Sequence, residues 1–370
     1  MSKVLFVTDS PDCWQHGIWF HRINTPAEAL SKRGHGTKQI AMGSEFPEQY
    51  MEWPDTVIFG RTYAAHYDPI KIMREYKRRG KRVLYDMDDD FWQVAKDNPS
   101  ANVSNALKDQ YEGMIREADA VITPSSVLAK KFKKHFKKEI FLCPNGVDPM
   151  VYQQRPGDKP DLVIGYMGAA SHWKDLGVIG EVVNKLSQKY DFVFTVYGLT
   201  AEPMEAAMYA YQRILRDNRQ PERNNYFRSA LDFYAQLKSM RLWHIPFMPP
   251  ELHPSVLGRS DFDIGLAPLE ETEFNKGKSC IKFYEYASVN TVTLASDVEP
   301  YKSEVNYRAK NTFKDWYNKL EKLIVDKEFR LKTLEKQREY VMKNRSIDAI
   351  GLPWELACQK PGGLKVLNQE

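Results

Sequence analysis

Short apolar runs alternate with amphipathic stretches along the first half of the chain. The β-branched and aromatic runs have the length of buried strands, and the stretches between them repeat apolar residues with a helical period. Residues 24–33 predict one helix, with Pro26 in its first turn and Gly34 after its last turn, and residues 69–79 predict another. This alternation is typical of an α/β unit with a parallel sheet. Its predicted strands are residues 3–7, 37–42, 56–60, 82–86, 119–123 and 139–143.

The same alternation begins again after residues 149–161, which contain three prolines and a glycine and have the composition of a linker. The chain is therefore expected to hold two Rossmann-like units in tandem. The second set of predicted strands is 161–167, 191–197, 241–246, 262–267 and 291–295. The expected domains are residues 1–150, residues 151–335, and a C-terminal helical segment, 336–370, that returns to the first domain. Within them we predict a helical stretch at 313–344 and an insertion at 201–228.

Length and composition agree with a globular protein of two domains. A chain of 370 residues with 42% hydrophobic and 28% charged residues excludes collagen-like, disordered and disulfide-scaffold classes. The four cysteines show no C-x2-C pairing, which argues against a zinc site and suits a reducing compartment. No secretion signal and no long uncharged apolar run is visible, so a cytoplasmic location is expected. The net charge of +4 indicates no large basic face, although local clusters remain.

The most informative stretch for chemistry is residues 274–287, FNKGKSCIKFYEYA. Ser279 is placed to cap a helix whose first amides, at Cys280, Ile281 and Lys282, bind phosphate. Lys278 and Lys282 add positive charge for a diphosphate, and Glu285, one turn into the helix, can accept two hydrogen bonds from ribose hydroxyls. A capped surface helix with solvated lysines would show the same pattern.

A second glycine-containing loop follows the first strand of the second unit, at residues 164–175. Gly168 lets the backbone approach a ligand, and Lys174 could reach the same diphosphate. An ordinary turn is the alternative interpretation, because a glycine commonly follows a strand.

Together these stretches resemble the GT-B glycosyltransferases, in particular the retaining group called family four, which uses nucleotide sugars. The resemblance runs from about residue 3 to about residue 345. It rests on ADAVITPS at 118–125, PNGVD at 144–148, SDFDIGLAPL at 260–269 and the stretch 278–287. It implies two Rossmann-like domains facing across a cleft and transfer of a sugar from a nucleoside-diphosphate sugar, of which UDP-sugar is expected, with retention.

The resemblance also implies roles for individual residues. Glu285 would hold the donor ribose, while Lys174 and the backbone at Ile281 and Lys282 would face the donor phosphates. Gly17 would lie in the loop after the first strand, against the phosphates or the sugar. The chain departs from the family pattern at Gly277, where the family has a glutamate, and at Ala169, where it has a basic residue. Lys278 and Lys282 are expected to supply the missing charge.

Acidic and basic residues at strand ends of the first unit are candidates for catalysis. Asp86 and Asp88 have D-x-D spacing, which in other glycosyltransferases holds a metal. We instead expect them to orient hydroxyl groups and predict no metal, the other alternative being an acidic helix cap. His16 and Arg61 follow other strands, where they could bind a sugar hydroxyl or move a proton, although a lone histidine is commonly structural.

Two clusters in the first unit are basic: Lys71 to Arg82, and Lys130 to Lys138 with six lysines. They could be solvated helix faces or attract phosphate, on DNA or on an anionic lipid surface. Lys130, Lys131 and Lys134 are the predicted acceptor or phosphate contacts.

The predicted function is therefore glycosyl transfer to an acceptor hydroxyl of a glycan, lipid or small molecule, with no cofactor besides the nucleotide-sugar substrate. One alternative acceptor is a hydroxymethylated base in DNA. An alternative of another class is a non-catalytic nucleotide-sugar or carbohydrate-binding protein, for which the departures at Gly277 and Ala169 are the support. A nicotinamide-dependent enzyme is disfavoured, because no G-x-G-x-x-G follows the first strand.

Overall fold

The computed structural model describes residues 1–8, 17–41, 48–61, 68–94, 104–154, 161–168, 172–198, 232–237 and 240–359. The chain divides into two compact units. The first comprises Met1–Asp88, Ser104–Gly146 and Arg345–Glu370, and the second comprises Asp89–Val103 and Val147–Asn344.

The first unit is built on a six-stranded sheet in the order β2-β1-β3-β4-β5-β6. All of its pairings are parallel. The inner strands are buried on both faces, which explains why they appear in the sequence as continuous apolar runs. The strands are β1 (Lys3–Thr8), β2 (Gly36–Ala41), β3 (Thr56–Phe59), β4 (Arg82–Asp86), β5 (Ala120–Thr123) and β6 (Glu139–Leu142).

Helices between these strands supply the remaining core of the first unit. They are α1 (Gly17–Trp19), a π-helical turn (Phe20–Asn24), α2 (Thr25–Lys32), α3 (Glu48–Glu52), α4 (Pro69–Arg78), α5 (Asn105–Glu117) and α6 (Ser126–Phe136). The C-terminal helix α16 (Ile347–Cys358) also belongs here: its Trp354 lies 6.1 Å from Phe6 between ring centroids. The carbonyl of Ala357 accepts from Arg82 on β4, which fixes the end of α16 against the sheet.

The second unit repeats the architecture. Its six parallel strands have the order β12-β11-β10-β7-β8-β9. They are β7 (Val163–Met167), β8 (Val193–Tyr197), β9 (Leu242–Ile245), β10 (Ile264–Ala267), β11 (Val292–Ser296) and β12 (Arg308–Ala309). Its helices are α7 (Trp173–Leu176), α8 (Gly180–Ser187), α9 (232–237), α10 (His253–Arg259), α11 (Glu273–Lys276), α12 (Ile281–Ser288), α13 (Tyr301–Glu304), α14 (Phe313–Val325) and α15 (Lys327–Arg345).

One apolar core joins the layers of the second unit. Phe194 and Leu266 from the sheet, Val183 from α8 and Trp316 from α14 are all completely buried in it. This packing holds the carboxyl ends of β7, β8 and β10 in fixed positions, with α12 beside them, and these are the places where an open parallel sheet binds ligands.

The fold class and the predicted strands are confirmed, with end points that differ by at most two residues. The structure adds β12, a strand of two residues, which is too short for a sequence pattern to predict. The predicted helical stretch at 313–344 is confirmed and consists of two helices, because Asp326 accepts from the backbone N–H of Phe329 and caps the second one. The predicted insertion at 201–228 and residues 155–160 of the predicted linker lie outside the described residues. Among those that are described, no helix is long and apolar enough to cross a membrane.

Candidate functional site

The backbones of β7 and β8 come very close where the two strands end. Gly168 donates its N–H to the carbonyl of Tyr197 at 3.0 Å. Gly198 has φ +86°, and a Cβ there would lie 3.0 Å from the carbonyl oxygen of Gly168. A Cβ on Gly168 would lie 2.5 Å from the hydroxyl of Tyr166 and 3.3 Å from the side chain of Lys282. Glycine is therefore required at both positions, and Lys282 passes directly over Gly168.

A histidine–aspartate pair follows this loop. Nδ1 of His172 lies 2.7 Å from Oδ2 of Asp175, and both side chains are mostly buried. Burial, together with the charges of Lys282 and Lys278, lowers the pKa of His172 to about 3. His172 is therefore neutral at pH 7, Nδ1 carries the proton that Asp175 accepts, and Nε2 is left as an acceptor.

The other oxygen of Asp175 fixes the loop after β10. Oδ1 accepts the backbone N–H of Glu270 at 2.8 Å. Burial opposes ionisation of Asp175, but the hydrogen bonds from His172 and from this N–H outweigh it and lower the pKa of Asp175. One carboxylate thus connects the loops that follow β7 and β10.

Helix α12 begins at Ile281, one residue after the N-cap position. Cys280 occupies the N-cap position with φ −84° and ψ 35° and makes no side-chain cap hydrogen bond. The prediction that Ser279 caps this helix is wrong, because the helix starts one residue later than the cap pattern indicates. The partial positive charge of the helix N-terminus still lies beside Lys278 and Lys282.

The two lysines at this helix start are electrostatically coupled. Burial and the neighbouring charge of Lys278 lower the pKa of Lys282 to about 8, against opposing effects of Asp175 and Glu285. The Lys278 ammonium lies 4.9 Å from the ring centroid of Phe274, which holds it at the start of the helix. Two cations held this close to each other favour an anion between them.

Glu285 is buried in α12, with 3% of its surface exposed. Its Oε1 accepts from the hydroxyl of Tyr152 at 2.7 Å and lies 3.1 Å from Nε2 of His253. Burial and the charge of Glu285 raise the pKa of Tyr152 well above its usual value, so this hydroxyl stays a donor. The sequence indicates Glu285 but not Tyr152 and His253, which lie far from it along the chain. It does not indicate the His172–Asp175 pair either.

Two further predicted donor residues have less distinctive surroundings. Lys174 lies on the short helix α7 and is part-buried. Gly17 is exposed at the start of α1, and a Cβ there would meet no atom within 4 Å among the described residues. Packing therefore does not require the glycine at 17. The predicted roles of both residues stay predictions.

In the first unit, Asp86 has a structural partner. The carboxylate is 2% exposed and accepts from Nε of Arg22 at 2.9 Å and from Nη2 at 2.5 Å. Burial alone would lower the pKa of Arg22, but Asp86 outweighs it and raises it. Arg22 also donates to the carbonyl of Cys143 and to Asn145 and lies 4.8 Å from the Trp354 ring. Both oxygens of Asp86 are thus occupied by a buried guanidinium, an arrangement that does not favour the predicted contact with hydroxyls.

Arg61 and Asp88, both predicted from the sequence, are brought together. Nη1 of Arg61 donates to Oδ1 of Asp88 at 3.2 Å, with 6% and 15% of the two side chains exposed. Both charges of this pair affect the pKa of Asp86: Asp88 raises it and Arg61 lowers it. His16, the remaining catalytic candidate, lies outside the described residues.

The two basic clusters differ in their surroundings. Arginines and lysines of α4 pair with acids; for example, Arg74 donates to Glu117, and Arg78 is bound to Glu75. On α6, the apolar face is buried, and Lys130, Lys133 and Lys134 are exposed on the other side. In the part of the chain that the structure describes, these three lysines have no acidic partner. Lys131 is part-buried on the same helix.

Solved structures of glycosyltransferases are similar to this chain over nearly its whole length. Sucrose-phosphate synthase from Thermosynechococcus elongatus gives a TM-score of 0.63 at 12% identity, covering 96% of this chain and 98% of that one. An α-glucosyltransferase in complex with UDP-glucose and DNA containing an abasic site gives 0.63 at 12% identity, with 97% and 99% covered. Anabaena HepE in complex with UDP and glucose gives 0.60 at 12% identity, with 96% and 98% covered.

No described protein family and no curated protein matches the chain by sequence. At identities this low, structural similarity establishes the architecture only. The two parallel six-stranded sheets and the solved structures they match show that this chain has the GT-B fold, as the sequence resemblance implied.

Proposed function

We propose that this protein is a glycosyltransferase that moves a sugar from a nucleoside-diphosphate sugar to an acceptor hydroxyl. The observation that carries the proposal is the grouping, in the second unit, of Lys278, Lys282 and Glu285 at the start of α12. The three charges act on one another, as the pKa of Lys282 reflects. Two cations and a buried carboxylate on one helix match the diphosphate and the ribose of one nucleotide.

In this proposal the diphosphate binds at the start of α12. Lys282 passes over Gly168, so that an anion beside Lys282 would also approach the backbone at the end of β7. Lys174 adds charge from the loop after β7, and Glu285 accepts hydrogen bonds from the ribose. UDP is the expected nucleotide, because similar solved structures contain it.

Catalysis would then rest on positioning and on stabilising the departing diphosphate. Lys278, Lys282 and the amides of α12 meet the negative charge that develops on the leaving group. The neutral His172 presents Nε2 as an acceptor for a hydroxyl of the donor sugar. We infer retention of configuration from the family resemblance, in which the donor phosphate helps to deprotonate the acceptor.

The proposal is tested by nucleotide binding with matched variants. UDP at 100 times its Kd should stabilise the folded protein by about 2.7 kcal/mol, which a thermal-shift screen against nucleoside diphosphates detects. Lys278→Ala should remove most of the shift. Lys276→Ala is the control, because Lys276 is two residues away but pairs with Glu273. Equal shifts in the two variants, or no shift with any nucleotide, would contradict the proposal.

A second candidate concerns the acceptor, for which a glycan, lipid or small molecule is the broad expectation. The exposed lysines of α6 favour a polyanionic acceptor, and one similar structure contains DNA. If this chain modifies a base in DNA, the base must be turned out of the duplex to reach the site. Lys130, Lys133 and Lys134 would then contact phosphates.

Salt dependence distinguishes these acceptors. Replacing the three exposed lysines of α6 by glutamine should weaken DNA binding and reduce the slope of log affinity against log salt by about 0.9 for each phosphate that these lysines neutralise. The matched control replaces Lys332, Lys336 and Lys343, which are exposed on α15. The proposal of a DNA acceptor would be contradicted if both triple variants reduced DNA binding equally, or if the wild type bound no DNA.

A further inference from the structure

Two donors from distant parts of the second unit converge on one oxygen of Glu285. The hydroxyl of Tyr152 lies 2.7 Å from Oε1, and Nε2 of His253 lies 3.1 Å from the same atom. The hydroxyl of Tyr197, at the end of β8, lies 2.6 Å from Nδ1 of His253. Since a carboxylate can only accept, Nε2 of His253 carries the proton in the contact with Glu285, and the Tyr197 hydroxyl bonds to the other ring nitrogen. Tyr197 and Glu285 thus hold the His253 ring from its two nitrogens.

A local turn sets the position of Tyr152. The carbonyl of Asp148 accepts the backbone N–H groups of Val151 and Tyr152, and its side chain accepts from Met150. In this position the Tyr152 side chain is 1% exposed, so its hydroxyl is shielded from water and bonds to Glu285. A buried hydroxyl without a partner would be strongly disfavoured, which makes this contact specific.

Helix α10, which carries His253, rests on the same segment. A Cβ at Gly258 would lie 2.1 Å from the backbone carbonyl oxygen of Gln153. Because backbone cannot move aside as a side chain can, only glycine allows α10 this close to the segment that carries Tyr152. The two donors to Glu285 therefore have their positions fixed relative to each other.

We propose that Tyr152 and His253 are positioning residues that orient the Glu285 carboxylate for the ribose hydroxyls, and so make the site select ribonucleotides over deoxyribonucleotides. The inference rests on the proposed function and deepens it. The terminal torsion of a glutamate side chain is broad, so an unrestrained carboxylate samples many planes. Two donors fixed on Oε1 hold the carboxylate in one plane before the nucleotide arrives, which lowers the ordering cost of binding.

The test compares UDP with 2′-deoxy-UDP and 3′-deoxy-UDP by calorimetric titration. Tyr152→Phe removes only the hydroxyl and should weaken UDP about tenfold, the range for a hydrogen bond to a charged group. The same substitution should have less than about threefold effect on a deoxynucleotide that lacks a hydroxyl bound by Glu285. His253→Leu should behave alike, while His253→Gln, whose amide keeps a donor, should retain most of the affinity for UDP.

Controls separate positioning from a general structural role. Tyr234→Phe changes another buried tyrosine of this unit, one that packs against Phe233 and His244, and should leave all affinities unchanged. Thermal unfolding of each variant checks that it folds, and the comparison of His253→Leu with His253→Gln provides the test if Tyr152→Phe does not fold. Equal weakening of UDP and both deoxynucleotides would overturn the inference while leaving the proposed function standing. A wild type that does not discriminate against either deoxynucleotide would also overturn it, and one that binds no nucleotide would contradict the proposed function itself.

Discussion

Lys282 offers the sharpest quantitative prediction, because its buried charge should lower the free energy of unfolding while it raises the affinity of the site for a diphosphate. Its pKa is lowered from 10.5 to about 8 by burial and then by Lys278. The charged form is the one that attracts a diphosphate. We therefore expect the affinity for UDP to be highest below pH 8 and to fall as the pH rises above it, by up to about tenfold per pH unit.

The effect on stability has the opposite sign. Between pH 8 and 10.5 the unfolded chain binds a proton at Lys282 that the folded chain lacks, so this group makes the free energy of unfolding rise with pH across that window. Below about pH 8 both states are protonated and the full penalty of burying the charge remains. The difference between the two pKa values corresponds to about 3 kcal/mol. Lys282→Met should stabilise the protein by up to about that amount at pH 7 and by less at pH 10.

Calorimetric titration with UDP at several pH values measures the first effect, and denaturant unfolding measures the second. Near pH 8.5, titrations in buffers of different ionisation heat should show uptake of up to one proton, because the diphosphate raises the pKa of Lys282. Lys276→Met is the matched control, since Lys276 lies on α11 and is paired with Glu273. An affinity that stays constant from pH 7 to 9.5, or a Lys282→Met variant less stable than the wild type at pH 7, would show that Lys282 does not have this role.

Three other predictions follow from particular contacts. Glu285→Ala should weaken UDP binding by roughly 1.5–3 kcal/mol without loss of the fold, and an unchanged calorimetric affinity would remove Glu285 from the site. Asp86→Asn should destabilise the protein by about 3–5 kcal/mol in denaturant unfolding, because it leaves Arg22 buried without its charge partner. A stable variant in which only activity is abolished would restore Asp86 as a catalytic residue. Transfer should continue in a chelator, since Lys278 and Lys282 meet the diphosphate charge; loss of turnover that manganese or magnesium restores would contradict this.

The sequence predicts the fold well because the inner parallel strands are buried on both faces and are therefore short apolar runs between helices. It predicts poorly where one side chain changes a helix boundary. The predicted helical stretch 313–344 does not show where Asp326 separates its two helices, and Ser279 resembles a cap although Cys280 occupies that position. Such alternatives depend on backbone geometry that residue types alone do not specify.

The candidate site residues also divide into those that the sequence indicates and those that only the folded structure reveals. Lys278, Lys282 and Glu285 lie on one helix, so their spacing along the chain already indicates that they share a region. Tyr152 lies 133 positions from Glu285 along the chain, and Arg22 lies 64 positions from Asp86, so only folding brings these partners together. The sequence therefore indicates Asp86 as a candidate but not Arg22, whose buried guanidinium donates to both of its oxygens.

Helix α12 is proposed to bind the diphosphate and ribose of a sugar donor that the protein cleaves. The decisive measurement is the release of UDP from UDP-sugars without acceptor, in the wild type and in Glu285→Ala. We expect slow release by the wild type with at least one UDP-sugar, and release reduced about tenfold or more in the variant. Tight binding of UDP-sugars with no release would instead identify a non-catalytic binding protein, and release unaffected by Glu285→Ala would contradict the assignment of the site.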